Sequence, residues 1–313
     1  MVIAVVILII LAVILGGAYY AFNTAFLMPK DRTEDVYKLP KSLQNTKGKE
    51  EMKALIAEMS EIDFEPVSIT SHDGLKLFGR YYHVADGAPL QIQFHGYKSY
   101  GIRDFCGGNK IARESGFNTL IVDHRAHGES EGRVITFGIK ESRDCVSWAE
   151  YALDRFGEDV PVILAGISMG GASVLMASGL ELPSNVKGII ADCPFANPLE
   201  IIKFSSQDMD LPMIIKVLTG PFAILGAKIY GKFDLKSASA EEAVKKTKVP
   251  IMIVHGENDK VVPHTMSERV YRANPDMIRW ETFPEAGHGV SYIFDTPRYE
   301  KITSEFVDMC LKK

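Results

Sequence analysis

Near the middle of the chain a serine stands between two glycines, in the stretch VILAGISMGGA from Val162 to Ala172. A serine hydroxyl attacks an acyl carbonyl only when a base takes its proton and hydrogen-bond donors meet the oxyanion that forms. The four apolar residues Val162 to Ala165 read as a short buried strand, and Ala172 to Leu180 reads as a helix. Between them, Gly166-Ile167-Ser168-Met169-Gly170 must turn sharply, which strains the serine backbone and requires small flanking residues. The turn lifts the Ser168 hydroxyl clear of the sheet edge. It also sets the Met169 amide at a helix N-terminus, where it can donate to an oxyanion. A G-x-S-x-G pattern also arises by chance, so its meaning depends on what surrounds it.

The base must be a histidine, with a carboxylate to hold its tautomer and support the imidazolium. Of eight histidines, His288 alone follows the last predicted strand. His95 and His255 close strands, His264 lies near a helix start, and His72 and His83 flank a hairpin. His124 and His127 lack the cysteine or carboxylate cluster of a metal site, so no metal is expected there. For the acid, three residues compete: Asp259, Glu257 in the same loop, and Asp192 at the end of the preceding strand. Asn258-Asp259 is also ordinary turn chemistry.

These residues need a frame. Phe64 to Thr70 and Leu75 to Tyr82, joined across Ser71-His72-Asp73-Gly74, read as an antiparallel pair. Strands follow at Leu90 to Phe94, Thr119 to Val122, Val162 to Ala165, Val186 to Ala191, Ile251 to Val254 and Ile278 to Phe283. Helices over Asp104 to Ser115, Lys140 to Phe156 and about Pro297 to Leu311 punctuate them. This alternation implies right-handed crossovers and a mostly parallel sheet, with chemistry at the carboxyl ends of its strands. Pro198 to Lys246 has no strand pattern and is too long for a bare loop, so it reads as a helical cap. Its clusters Leu211 to Ile215, Val217-Leu218, Phe222 to Leu225 and Ile229-Tyr230 suit either an apolar cleft or packing on the core.

Ahead of this domain, Val2 to Phe22 is an uncharged, apolar run of 21 residues. As a helix it measures roughly 32 Å, enough to cross a hydrocarbon core of about 30 Å. No Lys or Arg precedes it and it is longer than a signal-peptide core, so a retained single-pass anchor is expected rather than a cleaved leader. Lys30, Arg32, Lys38 and Lys41 all follow the span, a cytoplasmic-side bias resting on too few residues to decide the side. Residues 23–61 read as a polar tether with a short helix around Glu50 to Met59, and 62–313 as the folded domain. The net charge of -5 leaves no basic excess for nucleic acid, and a small neutral or weakly charged substrate fits better. The four cysteines, Cys106, Cys145, Cys193 and Cys310, are widely spaced and read as core residues.

Taken together, His95-Gly96, Asp123-His124-Arg125-Ala126-His127-Gly128-Glu129-Ser130, Gly166 to Gly171, His255-Gly256-Glu257-Asn258-Asp259 and Gly287-His288 resemble the α/β-hydrolase superfamily over about Phe64 to Leu311. The D-x-R-x-H-G-x-S block is similar to that of bacterial esterases, monoglyceride-lipase-like and serine-aminopeptidase-like enzymes, with Ala126 where many relatives carry glycine. The resemblance implies a Ser168, Asp259, His288 triad, an oxyanion hole from the Met169 and Tyr97 amides, and no cofactor. It implies ester cleavage through an acyl-enzyme on a small acyl ester; a peptidase or amidase on the same residues, or a tethered binding protein, are the alternatives.

Overall fold

The computed structural model describes residues 1–29, 35–39, 48–207 and 212–312. Of the expectations above, those on Lys30, Arg32, Lys41 and Leu211 lie outside the described residues. The chain opens with α1 (Val2–Ala25), a helix long and apolar enough to cross a membrane. α2 (Gly48–Ser60) precedes the hairpin of β1 (Glu65–Thr70) and β2 (Lys76–Tyr82), paired antiparallel from Glu65 opposite Tyr81 to Thr70 opposite Lys76. β3 (Leu90–Phe94) leads into α3 (Gly101–Asp104) and α4 (Cys106–Glu114), so the helix expected from Asp104 to Ser115 divides at Phe105. β4 (Asn118–Val122), α5 (Glu141–Phe156), β5 (Val162–Ile167), α6 (Met169–Ala177) and β6 (Val186–Asp192) continue the alternation.

The insertion after β6 is helical, as its length and composition predict: α7 (Pro198–Gln207), α8 (Met213–Ile229), α9 (Ala240–Ala243) and a 3₁₀ turn, Val244–Lys246. β7 (Ile251–Gly256), α10 (His264–Ala273), β8 (Ile278–Phe283), α11 (Ser291–Phe294) and α12 (Thr296–Leu311) complete the domain. The eight strands order as β1-β2-β4-β3-β5-β6-β7-β8. β2 meets β4 antiparallel, and every later neighbour is parallel.

Both faces of the sheet are covered, which is why its inner strands read as unbroken apolar runs. Along β5, Val162 and Leu164 join the cluster that holds Trp148 of α5 and Val174 of α6. The alternating Ile163 and Ala165 join the cluster of Ala112 in α4 and Ile302 and Phe306 in α12. Each fully buried side chain of this size contributes roughly 1.5–3 kcal/mol.

The reading of residues 23–61 as a polar tether is corrected at both of its described ends. Phe26 is fully buried against the rings of Phe137 and Phe233, at centroid distances of 5.7 and 5.4 Å. The Met28 amide donates to the Arg133 carbonyl (2.8 Å) and the Ile135 amide to the Phe26 carbonyl (2.7 Å), stitching the exit of α1 into the domain. In α2, Met52, Leu55, Ile56 and Met59 are buried, a stripe at helical spacing that packs on α4. Its mixed charge occupies only the opposite, solvated face.

Candidate active site

β5 and α6 approach so closely around Ser168 that side chains are excluded on both flanks. A Cβ on Gly170 would lie 1.9 Å from the Phe94 carbonyl oxygen, and one on Gly166 2.3 Å from the Gly170 carbonyl carbon. Ser168 itself has φ 56° and ψ −113°, an unfavourable conformation for a residue with a side chain. It is held there by its amide donating to the Asp192 carbonyl (2.8 Å) and its carbonyl accepting from Ala172 (2.9 Å), the first turn of α6.

The loops after β7 and β8 bring the partners in. Ser168 Oγ lies 2.9 Å from His288 Nε2, and His288 Nδ1 lies 2.7 Å from Asp259 Oδ2. The other Asp259 oxygen, Oδ1, accepts the Val261 and Val262 amides at 2.8 and 2.9 Å. Burial by itself raises the Asp259 value, but the hydrogen bonds from His255 and His288 outweigh it and hold the carboxyl well below the usual range. For His288 burial disfavours the imidazolium, yet the Asp259 carboxylate prevails and raises the ring above its ordinary value. Among described residues, this makes one line of hydroxyl, imidazole and carboxylate.

The rival acids are placed elsewhere. Asp192 is buried and accepts the Tyr299 hydroxyl (3.1 Å), and burial pushes its carboxyl up to about 6. Glu257 turns outward to the Thr282 hydroxyl at 2.7 Å. His255, expected only to close a strand, is a second partner of the acid: its Nε2 lies 3.1 Å from Asp259 Oδ2 and 3.0 Å from the Val262 carbonyl. Since that carbonyl can only accept, Nε2 carries the proton and donates to both. The H-G-x-x-D spacing was the signal for this contact, because it carries the ring across the turn onto the carboxylate.

Beside Ser168, the loop after β3 carries Tyr97. Hydrogen bonds formed by the described residues leave the Tyr97 and Met169 amides without a protein acceptor. The loop is braced from beneath, since Asp104 accepts the Gly96 amide (2.8 Å) and His127 Nε2 accepts the Lys98 amide (3.0 Å). The D-x-R-x-H-G-x-S block is therefore scaffold. Asp123 accepts Arg80 (3.1 Å) and the Glu129 amide (3.1 Å), and buried Arg125 bridges Asp144 (2.6 Å) and Asp73 (3.0 Å). Ala126, where relatives have glycine, adopts φ 67°. His124 and His127 pack ring to ring with His95, at centroid distances of 4.9 Å each.

Among the described residues, two groups bring three metal-ligating side chains together: Cys193 with Asp259 and His288, and His72 with Asp73 and Asp144. In the first, His288 and Asp259 already bind each other; in the second, both carboxylates are engaged by Arg125.

Above Ser168 lies a cavity of about 780 Å³ with mostly apolar walls. Ile215, Leu218, Phe222 and Ala223 of α8 line one side, so this part of the cap forms a cleft. Met213, Ile214, Val217 and Ile229 do neither of the things expected of them, since they face outward. The opposite wall is α1, through Val13, Gly16, Gly17, Tyr20, Ala21 and Thr24. The end of α1 is fastened to the loop beside the serine: the Tyr97 hydroxyl donates to the Ala25 carbonyl (2.9 Å) and Lys98 Nζ to the Thr24 carbonyl (3.1 Å). These groups satisfy carbonyls that a helix end leaves open, and the lysine charge suits the negative pole of the helix. Sequence reading missed this role of α1; its one signal was Gly16-Gly17-Ala18, small residues that permit close helix packing.

Comparison with known proteins places this geometry. Residues 114–313 match the prolyl oligopeptidase family. Among curated proteins, the chain is 26% identical over 194 residues to Bacillus subtilis YqkD, covering 62% of this chain and 63% of that protein. It is 24% identical over 208 residues to the lysophosphatidylserine lipase ABHD12 of Danio rerio, covering 63% and 52%. The alignments thus span between about half and two thirds of these relatives' lengths. Among solved structures, the Pyrococcus furiosus esterase Pf2001 superposes with a TM-score of 0.66 at 21% identity, over 90% of this chain and 98% of that one. Est1E of Butyrivibrio proteoclasticus, solved with ferulic acid bound, gives 0.60 at 22% identity, over 79% and 100%. By its sheet order, its serine turn and the family match over most of its length, the chain belongs to the prolyl oligopeptidase family of α/β-hydrolase serine hydrolases.

Proposed function

We propose that this protein is a membrane-anchored serine hydrolase that cleaves carboxylic esters through an acyl-enzyme. The observation that carries the reading is the hydrogen-bonded line from Ser168 through His288 to Asp259, at the floor of an apolar cavity. In the reaction, His288 Nε2 takes the Ser168 proton as Oγ attacks the ester carbonyl. The oxyanion is met by the Met169 and Tyr97 amides. As the tetrahedral centre collapses, the C–O bond to the alcohol breaks and His288 returns the proton to that oxygen. Water then repeats the sequence: His288 takes its proton, hydroxide adds to the acyl carbon, and Ser168 leaves with the proton as the acid is released. Asp259 holds Nδ1–H throughout, so that Nε2 is the free lone pair.

Membrane anchoring is supported by the length and composition of α1, whose residues Val2 to Leu15 are all exposed. Ester rather than amide cleavage is supported by the cavity walls, which offer few polar groups to bind a peptide backbone. A second reading, cleavage of peptides or amides by the same residues, is favoured by the peptidase name of the matched family. Turnover of matched ester and anilide substrates separates the two.

The test of the reading is labelling with a fluorophosphonate, which reacts with an activated serine. The parent protein is expected to label and Ser168→Ala to remain unlabelled. A folded parent that takes no label would instead favour a tethered binding protein.

A further inference from the structure

The length of α1 and the place where it meets the domain are in conflict unless more than α1 enters the bilayer. Val2 to Leu15 project free of the domain, and these residues rise only about 21 Å as a helix. A hydrocarbon core is about 30 Å thick, so about 9 Å of it falls to the next six residues, Gly16 to Ala21. These residues are packed on α8. A Cβ on Gly17 would lie 2.8 Å from the Phe222 ring, and one on Gly226 would lie 2.4 Å from the Ala18 carbonyl oxygen. The Tyr230 hydroxyl donates to the Leu15 carbonyl at 3.1 Å. Whatever depth Gly16 to Ala21 reach, α8 reaches with them.

The surface of α8 suits that depth. Met213, Ile214 and Val217 are 71%, 64% and 64% exposed, and none of the three lines the cavity. Its two lysines do not oppose burial: Lys216 turns back to the Gln207 carbonyl at 2.6 Å, and exposed Lys228 has a stem long enough to keep its ammonium at head-group level. Tyr19 and Tyr20, both exposed, stand where a helix leaving the hydrocarbon commonly carries an aromatic belt. The cavity residues that also face outward include Val13, Gly16, Tyr20, Thr24 and Ile215, so its rim is made largely by α1 and the first turn of α8.

We propose that α1 and α8 enter the bilayer as a pair, and that the Ser168 cavity opens between them into the acyl-chain layer of the leaflet. The substrate is then an ester of a long acyl chain, drawn sideways from the membrane rather than from water. The substrate half of this proposal rests on the esterase reading above; the embedding of α8 does not.

The experiment uses the full chain reconstituted in phosphatidylcholine vesicles whose acyl chains are brominated, with tryptophan placed at Leu8, Val217 or Val84. Val84 lies in the loop before β3, at the end of the sheet remote from Ser168. Quenching beyond that of the parent at both Leu8→Trp and Val217→Trp, and none at Val84→Trp, is the expected result. Quenching at Leu8→Trp alone would overturn the proposal while leaving the anchor intact. Quenching at neither would remove the anchor and the proposal together. In a second readout, the pair Met213→Asp and Val217→Asp should lower hydrolysis of a long-chain ester in vesicles at least tenfold and leave that of a water-soluble short-chain ester unchanged. An equal loss on both substrates, or on neither, would overturn the lateral route.

Discussion

Replacing Asp259 by asparagine puts the proposed chemistry under the sharpest strain, because the carboxylate has a different job at each oxygen. Oδ1 accepts two amides, Val261 and Val262, so an asparagine must turn its own carbonyl oxygen that way. Its NH₂ then faces the N–H groups of His288 and His255, where the carboxylate had accepted both. His288 escapes the clash by moving its proton to Nε2, which can no longer take the Ser168 proton. The lost charge adds to this: two unit charges about 4 Å apart at an effective dielectric of about 20 interact by roughly 4 kcal/mol, close to a thousandfold in rate. A fall in kcat/KM of about a thousandfold to ten-thousandfold is expected, with Ser168 still in place. The assay is hydrolysis of a short p-nitrophenyl ester across pH, with Asp192→Asn measured beside it. Neutral His288 is the working base, so the parent rate should climb with pH through a value above the ordinary histidine range. The residual rate of Asp259→Asn should climb at lower pH. A folded Asp259→Asn within tenfold of the parent would refute the assignment, and a matching loss in Asp192→Asn would transfer the role to that residue.

Asp192 should show a different behaviour. Its folded-state value of about 6 lies above the unfolded aspartate value of about 3.9, so the stability it contributes is complete at low pH and is lost as pH rises through that interval. Asp192→Asn should leave thermal stability unchanged in acid and raise it above pH ~6, by up to about 3 kcal/mol, while retaining activity. Arg125→Met leaves the Asp144 carboxylate buried without its cation and should cost about 3–5 kcal/mol in chemical denaturation. Gly170→Ala drives a methyl into the Phe94 carbonyl and should cost about 1–3 kcal/mol. Because the clash displaces the turn that presents Ser168, fluorophosphonate labelling should slow in the same variant.

Much of the hydrolase frame was legible because its signals are local. Strand patterning, the two glycines around Ser168 and the Asp-Gly hairpin each impose a backbone shape through sterics acting within a few residues. The Pro198 to Lys246 insertion was readable as helical by the same logic, from length and the lack of a strand pattern. His288 was accessible because it alone follows the last strand. Asp259 needed the resemblance, since Asp192 and Glu257 also end or follow strands, and only three-dimensional distance separates a carboxylate facing His288 from one facing Tyr299 or Thr282.

What the amino-acid order determined by itself is therefore the set of elements and the serine turn, which arise from short-range backbone and burial preferences. Tertiary structure decided the partnerships between distant segments. Met52, Leu55, Ile56 and Met59 carry a buried stripe that identifies an inner face but not the α4 surface it meets. An apolar run such as α1 looks alike whether lipid or protein surrounds it, because both environments reward the same side chains. Only the fold shows that its first half stands free while its second half closes the cavity over Ser168.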